Sequence, residues 1–422
     1  MKKIILSLMT LVSLTASAQF GGFGGRPQGN PWVPSEAAIA EDFKPALSNQ
    51  DSKQYPMVNS ARQVRAQISA PEATKVGLDI AGKIYTMTKD ENGVWTGTSA
   101  PQDPGFHYYQ LNIDGASVPD PTSLYYYGAS RWGSGIEVPS DDQDFWQVKN
   151  VPQGTMGEVY YYSTHTEKMR RCFVYLPNEY FTNPTKKFPV LYLQHGMGEN
   201  EYSWPYQGHV ASIMDNLIAA KKAVPFIVVM DNGLNAGQGG FGGFGGFGGQ
   251  RPQGQRPQGA PQGAPQGGQR PQGQRPQGGF GGFGGFAEDF KQVLFNDIMP
   301  MIEKNYRVVA DPEHRAYAGL SMGGMQAREV TLANPGKFAY VGSFSSGAWS
   351  VDQVKNSEGF AQKTKLLFMS GGGKENMGCV EAAKNIKEQL GMNAVGYESP
   401  GTAHEFHTWR RSLHEFAQLL FK

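Results

Sequence analysis

The 422-residue sequence predicts an α/β fold, with a mostly parallel sheet covered by helices on both faces and a smaller antiparallel β-sandwich preceding it. Three observations carry that expectation. Apolar runs of strand length alternate with helical stretches from about residue 157 to the end. Short strands separated by turn residues, with no helical period, fill residues 59–148. Between a strand and a helix stands Gly319-Leu320-Ser321-Met322-Gly323, a serine on a tight turn with glycine on either side.

The elements follow in chain order. Met1-Lys2-Lys3 is a positive start, residues 4–14 are apolar, and Ala16-Ser17-Ala18 is a small-residue cleavage site, so residues 1–18 read as a secretory signal peptide cut after Ala18. That apolar run is too short to cross a bilayer, and no other run reaches the roughly 18 residues required, so a secreted or periplasmic protein with no membrane partner is expected. The 38 basic and 37 acidic residues balance, which argues against nucleic acid as a partner. Cys172 and Cys379 are the only cysteines; one disulfide between them is the alternative to the expected pair of unpaired buried thiols.

Residues 19–58 are a Gly/Phe-rich start and an N-terminal extension. In the sandwich region residues 63–69 alternate, residues 70–80 continue as a strand, Asn92-Gly93 marks a turn, and residues 105–113 run into an Asp114-Gly115 hairpin turn. Residues 149–422 form the larger domain, with strands expected at 157–164, 171–176, 190–194, 226–230, 316–319, 340–344, 366–369 and 395–398. Helices are expected at 210–221, 290–304, 322–333, 380–390 and 409–421, with Pro300 kinking or breaking the second. Phe-Gly-Gly and Arg-Pro-Gln-Gly repeats interrupt this domain at 236–286 and share their vocabulary with residues 20–30. Such tracts bury too little apolar surface to offset chain entropy, so they are expected to be disordered.

The glycine-flanked serine is where an α/β hydrolase carries its nucleophile, on a strained strand-to-helix turn. A serine hydroxyl attacks well only when an imidazole takes its proton and a carboxylate fixes the tautomer of that imidazole. Candidates occur downstream in the order this fold uses. Glu375 lies in the glycine loop 370–376, and His404 in the turn-rich stretch 399–406. Asn376 competes for the acid position on a shifted register, and Asp352 is the fallback acid. Upstream, residues 188–194 deliver His195-Gly196-Met197-Gly198, so the N–H groups of Met197 and Met322 are expected to form an oxyanion hole. His195 reads as a structural hydrogen-bonding residue. Trp204 is either core or an aromatic wall that binds the substrate. His404, His407 and His414 lack the H-E-x-x-H spacing, so no metal is expected.

Four segments together resemble the esterase D-like members of carbohydrate esterase family 1. These are Leu193-Gln-His195-Gly-Met-Gly-Glu-Asn200 with Trp204, Asp297-Ile-Met-Pro-Met-Ile-Glu-Lys-Asn-Tyr-Arg307, His314-Arg-Ala-Tyr-Ala-Gly-Leu-Ser321-Met-Gly-Gly324, and Ser399-Pro-Gly-Thr-Ala-His404-Glu-Phe-His-Thr-Trp-Arg-Arg411. The resemblance spans residues 157–422 apart from the repeats. It implies a secreted, cofactor-free serine esterase that removes feruloyl or acetyl groups from xylan. An ester of another kind, such as a siderophore, and a catalytically silent carbohydrate-binding protein are the alternatives. Ala70-Pro71, Gly93-Val-Trp95, Asp114-Gly115 and Asp120-Pro121 are similar to early-set immunoglobulin-like modules related to carbohydrate-binding module family 48.

Overall fold

The computed structural model describes residues 29–234 and 283–422, so the expected leader and most of the repeat tract lie outside the described residues. Eight strands form the larger sheet: β1 (Thr155–Ser163), β2 (Lys168–Leu176), β3 (Val190–Gln194), β4 (Ile227–Asp231), β5 (Arg315–Leu320), β6 (Tyr340–Phe344), β7 (Leu366–Gly372) and β8 (Ala394–Ser399). Their spatial order is β1-β2-β4-β3-β5-β6-β7-β8. The β1/β2 and β2/β4 pairs are antiparallel, and every other pair is parallel.

Strands β3, β4, β6 and β7 are buried at every position. Helices cover both faces, which is why these strands read as continuous apolar runs instead of alternating ones. Successive side chains still part company. Leu191, Val228, Ala318 and Phe368 join one core with α1 (Val210–Ala219) and α6 (Phe406–Ala417). Their chain neighbours Val190, Tyr192, Val229, Tyr317 and Leu367 join another core. That second core takes residues from α2 (Phe283–Val293), α3 (Met299–Asn305), α4 (Met322–Ala333) and α5 (Cys379–Leu390). The helix expected over 290–304 is in fact α2, a π-helical turn at Leu294–Ile298, and α3 with Pro300 in its first turn. Proline has no N–H to donate there and crowds the carbonyl one turn back, so the ladder is re-formed on a wider ring.

Residues 32–138 form two further sheets. One runs Trp32–Pro34, Lys83–Thr86, Val76–Ile80, Gly105–Ile113, Arg131–Val138, Tyr125–Gly128, with Ala116–Val118 beside Gly105–Ile113. The other runs Lys44–Pro45, Met57–Val58, Gln63–Ser69, Val94–Pro101, Thr88–Lys89. Val64, Ala66 and Trp95 from the second share one apolar cluster with Leu78, Leu111 and Ile136 from the first. The Asp114-Gly115 turn has positive φ at both residues, 49° and 90°, as a two-residue hairpin needs.

Two expectations change. Strand 70–80 starts only at Val76, because Ala73 N–H turns back to Ala70 O and the N–H groups of Thr74 and Lys75 bond the Asp114 carboxylate. The sheets also recruit strands from before residue 59, since Trp32–Pro34 pairs in parallel with Lys83–Thr86. Ile84 and Trp32 close in on Gly77, where a β-carbon would sit 2.4 Å and 2.6 Å from them.

This N-terminal part packs on the larger sheet's helices. Glu137 accepts from both terminal nitrogens of Arg410 on α6, and Arg410 Nε donates to Gln207 O at 2.6 Å. The Gln207 amide in turn donates to Tyr108 Oη at 2.8 Å and Tyr127 O at 2.7 Å.

Candidate active site

Ser321 stands between β5 and α4 with φ 51° and ψ −115°, a strained backbone that an ordinary turn serine would not hold. Close packing makes the turn possible. A β-carbon on Gly323 would lie 2.6 Å from His195 O and 2.7 Å from Gln194 O, so α4 begins against the end of β3. Gly323→Ala must push backbone against backbone. It is expected to lower stability by about 1–3 kcal/mol, read as a reduced urea midpoint.

The loops that follow β5, β6, β7 and β8 are laced together at this edge. Ser321 N–H donates to Phe344 O at 2.7 Å, and Ser345 N–H to Ser370 O at 2.7 Å. Ser345 Oγ then donates to Glu375 Oε2 at 2.6 Å, as does Gly372 N–H at 2.7 Å. Glu375 Oε1 lies 2.7 Å from His404 Nδ1. At Gly372 a β-carbon would meet Thr402 O at 2.4 Å, so only glycine lets the acid loop approach the histidine loop this closely.

The electrostatics fit a fixed, ionised acid. Burial pushes the Glu375 carboxyl up, but the hydrogen bond and charge of His404, the Ser345 hydroxyl and the Gly372 N–H outweigh it and hold the group below the usual glutamate range. With Nδ1 directed at Glu375, Nε2 is the imidazole nitrogen on the side away from the acid. The ring of His404 rests edge-on against Trp409, centroids 5.1 Å apart.

The loop after β3 completes the edge. A β-carbon on Gly196 would lie 3.3 Å from Ser321 Cβ, which places the Gly196-Met197-Gly198 backbone beside the serine. Met322 opens α4, where the first N–H groups of a helix have no partner within it. His195 is held by its neighbours as expected. Its Nδ1 lies 2.7 Å from Gly196 O and its Nε2 accepts from Gly233 N–H at 3.0 Å, while burial holds its pKa below the usual histidine value.

Other candidates fall elsewhere. Trp204 is 1% exposed, donates from Nε1 to Gln194 O at 2.9 Å, and packs against Phe344 and Phe406. Its ring is core beneath the β3 loop, which corrects its reading as a substrate wall. Asp352 is exposed in the first turn of the short helix Val351–Lys355, and the carboxylate on His404 is that of Glu375. The other two histidines have separate neighbours: His407 Nε2 is 3.2 Å from Asp142, and His414 Nδ1 is 2.9 Å from Glu415. Ser345 and Trp409 escaped the sequence reading as parts of the site. Ser345 follows β6 directly at the edge that carries the site, and that position was a usable signal; Trp409 had none.

A family model described as "Putative esterase" matches residues 163–252 and 244–419. The chain belongs to this esterase family. The endo-1,4-beta-xylanase/feruloyl esterase of Xylanibacter ruminicola is 41% identical over 391 residues, 90% of this chain and 48% of that protein. The chain therefore spans about half the length of that relative. Among solved structures, the enterobactin esterase of Shigella flexneri is 15% identical and covers 85% of this chain and 93% of its own, with a TM-score of 0.55. That likeness is one of fold alone. A ferulic acid esterase of Anaeromyces mucronatus is 20% identical over 67% of this chain and 96% of its own, with a TM-score of 0.49.

Proposed function

We propose that this chain is a secreted serine esterase that cleaves feruloyl or acetyl esters of a plant cell-wall polysaccharide such as xylan. The Glu375–His404 pair, linked through Phe344 and Ser345 to the strained turn of Ser321, carries the reading. The Xylanibacter ruminicola relative, named for xylanase and feruloyl esterase activities, supports the substrate class. In this mechanism His404 Nε2 takes the proton of Ser321 as Oγ attacks the ester carbonyl, and Glu375 stabilises the imidazolium. The N–H groups of Met197 and Met322 meet the developing oxyanion. His404 passes the proton to the leaving alcohol, and water then releases the acid by the same steps in reverse. No cofactor takes part. Residues 1–18 are the export signal in this reading. The two N-terminal sheets form an immunoglobulin-like sandwich akin to carbohydrate-binding module family 48, and the esterase domain spans residues 149–422 around the repeat insert.

The test is hydrolysis of p-nitrophenyl acetate, methyl ferulate and acetylated xylan, set against a siderophore ester. Faster cleavage of the siderophore ester would replace the polysaccharide reading, and no turnover of any ester by the parent would end it. Glu375→Ala is expected to lower kcat by roughly 10³–10⁴-fold, because the imidazole loses its oriented tautomer. Asp352→Ala should leave kcat within about twofold, since surface substitutions away from a site rarely matter.

A further inference from the structure

A second carboxylate is buried next to this site and does none of the chemistry described so far. Glu199 is 6% exposed and sits at the end of the loop that carries Met197. Its Oε2 accepts from Gly196 N–H at 3.1 Å, and its own N–H returns to Gly196 O at 3.3 Å. The loop is thus closed from within by one side chain. From outside, Ser130 N–H donates to Gly198 O at 2.8 Å, from the tip of the hairpin formed by Tyr125–Gly128 and Arg131–Val138. Gly198, at φ 79°, lies 3.7 Å at its would-be β-carbon from the Ala129 backbone. Met197, whose N–H must aim at the oxyanion, is the residue between these two clamps.

We infer that Glu199 is a positioning residue of the oxyanion loop, acting with the Ala129–Ser130 hairpin tip to aim the Met197 N–H. The inference rests on the esterase reading above. Its chemistry is distinctive because the clamp titrates. Burial pushes the Glu199 carboxyl up to about 8, against the pull of the Gly196 N–H. Other titratable groups stand around it. The Tyr108 hydroxyl of the N-terminal sheet is held well above its usual value by burial and then by Glu199 itself. Along its own loop, burial lowers the pKa of His195, and Glu201 is paired with Arg171 at 2.5 Å. The sign follows. Between the ordinary glutamate range and about 8 the folded chain keeps a proton that the unfolded chain releases, so this group's contribution falls as pH rises. Above about 8 the carboxylate ionises: it accepts more strongly from the Gly196 N–H, but the cost of a charge held away from water is the larger effect and favours a loop that opens toward solvent, which loosens the clamp.

The experiment is the pH profile of kcat and KM for p-nitrophenyl acetate with the full chain, Glu199→Gln and Glu199→Leu, alongside thermal melts. The parent is expected to lose kcat on the alkaline side, near pH 8. Glu199→Gln keeps an acceptor but cannot ionise, so that limb should disappear while kcat at pH 7 stays within about tenfold. Glu199→Leu should lower kcat by roughly 10²-fold, the scale of one oxyanion donor, with KM within about threefold. A folded Glu199→Leu with the parent's kcat, or a Glu199→Gln that retains the alkaline limb, overturns the inference. If Glu199→Leu does not fold, the Glu199→Gln profile decides alone. A parent inactive at every pH refutes the esterase reading instead, which separates the two failures.

Discussion

Ser321→Ala is expected to lower kcat for p-nitrophenyl acetate by on the order of 10⁵–10⁶-fold while leaving the melting temperature within about 2 °C of the parent. The two halves of that result come from different atoms. The fold depends on the backbone at this turn: the Ser321 N–H bond to Phe344 O and the Met325 N–H bond back to Ser321 O both survive in alanine. The strained φ of 51° is carried by that same backbone and its glycine neighbours, so the substitution adds little to it. In the proposed mechanism the chemistry depends on Oγ, which has no substitute. Without it His404 has no proton to take and no acyl-enzyme forms, and what survives is the small acceleration due to binding and the oxyanion donors. Steady-state kinetics with a parallel melt check this. A folded variant that retains a tenth of the parent activity would show that the serine turn is a structural feature and nothing more.

Arg410→Met is expected to destabilise the protein by about 3–5 kcal/mol at pH 7, because it leaves the Glu137 carboxylate buried without its partner. Arg410 is 0% exposed and Glu137 5%, and the pair joins the N-terminal sheet to the helix that follows the His404 loop. The guanidinium lies over the Trp146 ring at 4.6 Å, and His209 Nε2 stands 3.4 Å from the same carboxylate. Burial alone would push Glu137 up; the charge of Arg410, with the hydrogen bonds from His209 and Arg410, holds it at about 2. A depressed folded pKa stabilises the protein above the unfolded value, and that stabilisation is lost as pH falls toward about 2. In the variant the direction reverses: the isolated carboxyl rises and takes up a proton, so the gap to the parent should narrow between pH 7 and about pH 4.5. Urea unfolding at both pH values measures it, and the Glu137→Leu/Arg410→Met double variant should recover part of the loss, since it buries no charge. A gap of under 1 kcal/mol at pH 7 would mean that water reaches the pair and that the two regions are not fastened there.

The legible part of this chain was local. The continuous apolar runs of β3 and β6 and the start and end of α4 appear in the sequence where the structure has them. The Ser321 turn was legible because its glycines, strand and helix lie within 20 residues of one another. Strand 70–80 was misread because the turn that delays it is made by Asp114, some 40 residues away. Trp204 stayed between core and substrate wall for a related reason: a tryptophan in a loop beyond a strand can face solvent or core, and the choice was made by Phe344 and Phe406.

By itself, then, the order of residues determined most strands and helices of the larger sheet, where the glycine-flanked serine turn falls, and which serine and histidine are candidates for the site, since periodicity and turn chemistry are properties of neighbours along the chain. The tertiary structure alone decided that Glu375 and not Asp352 meets the imidazole, that Trp204 is core, and that a hairpin of the N-terminal sheets touches the loop beside the serine. Those outcomes depend on which loop ends converge at one sheet edge, and convergence is set by packing across hundreds of residues.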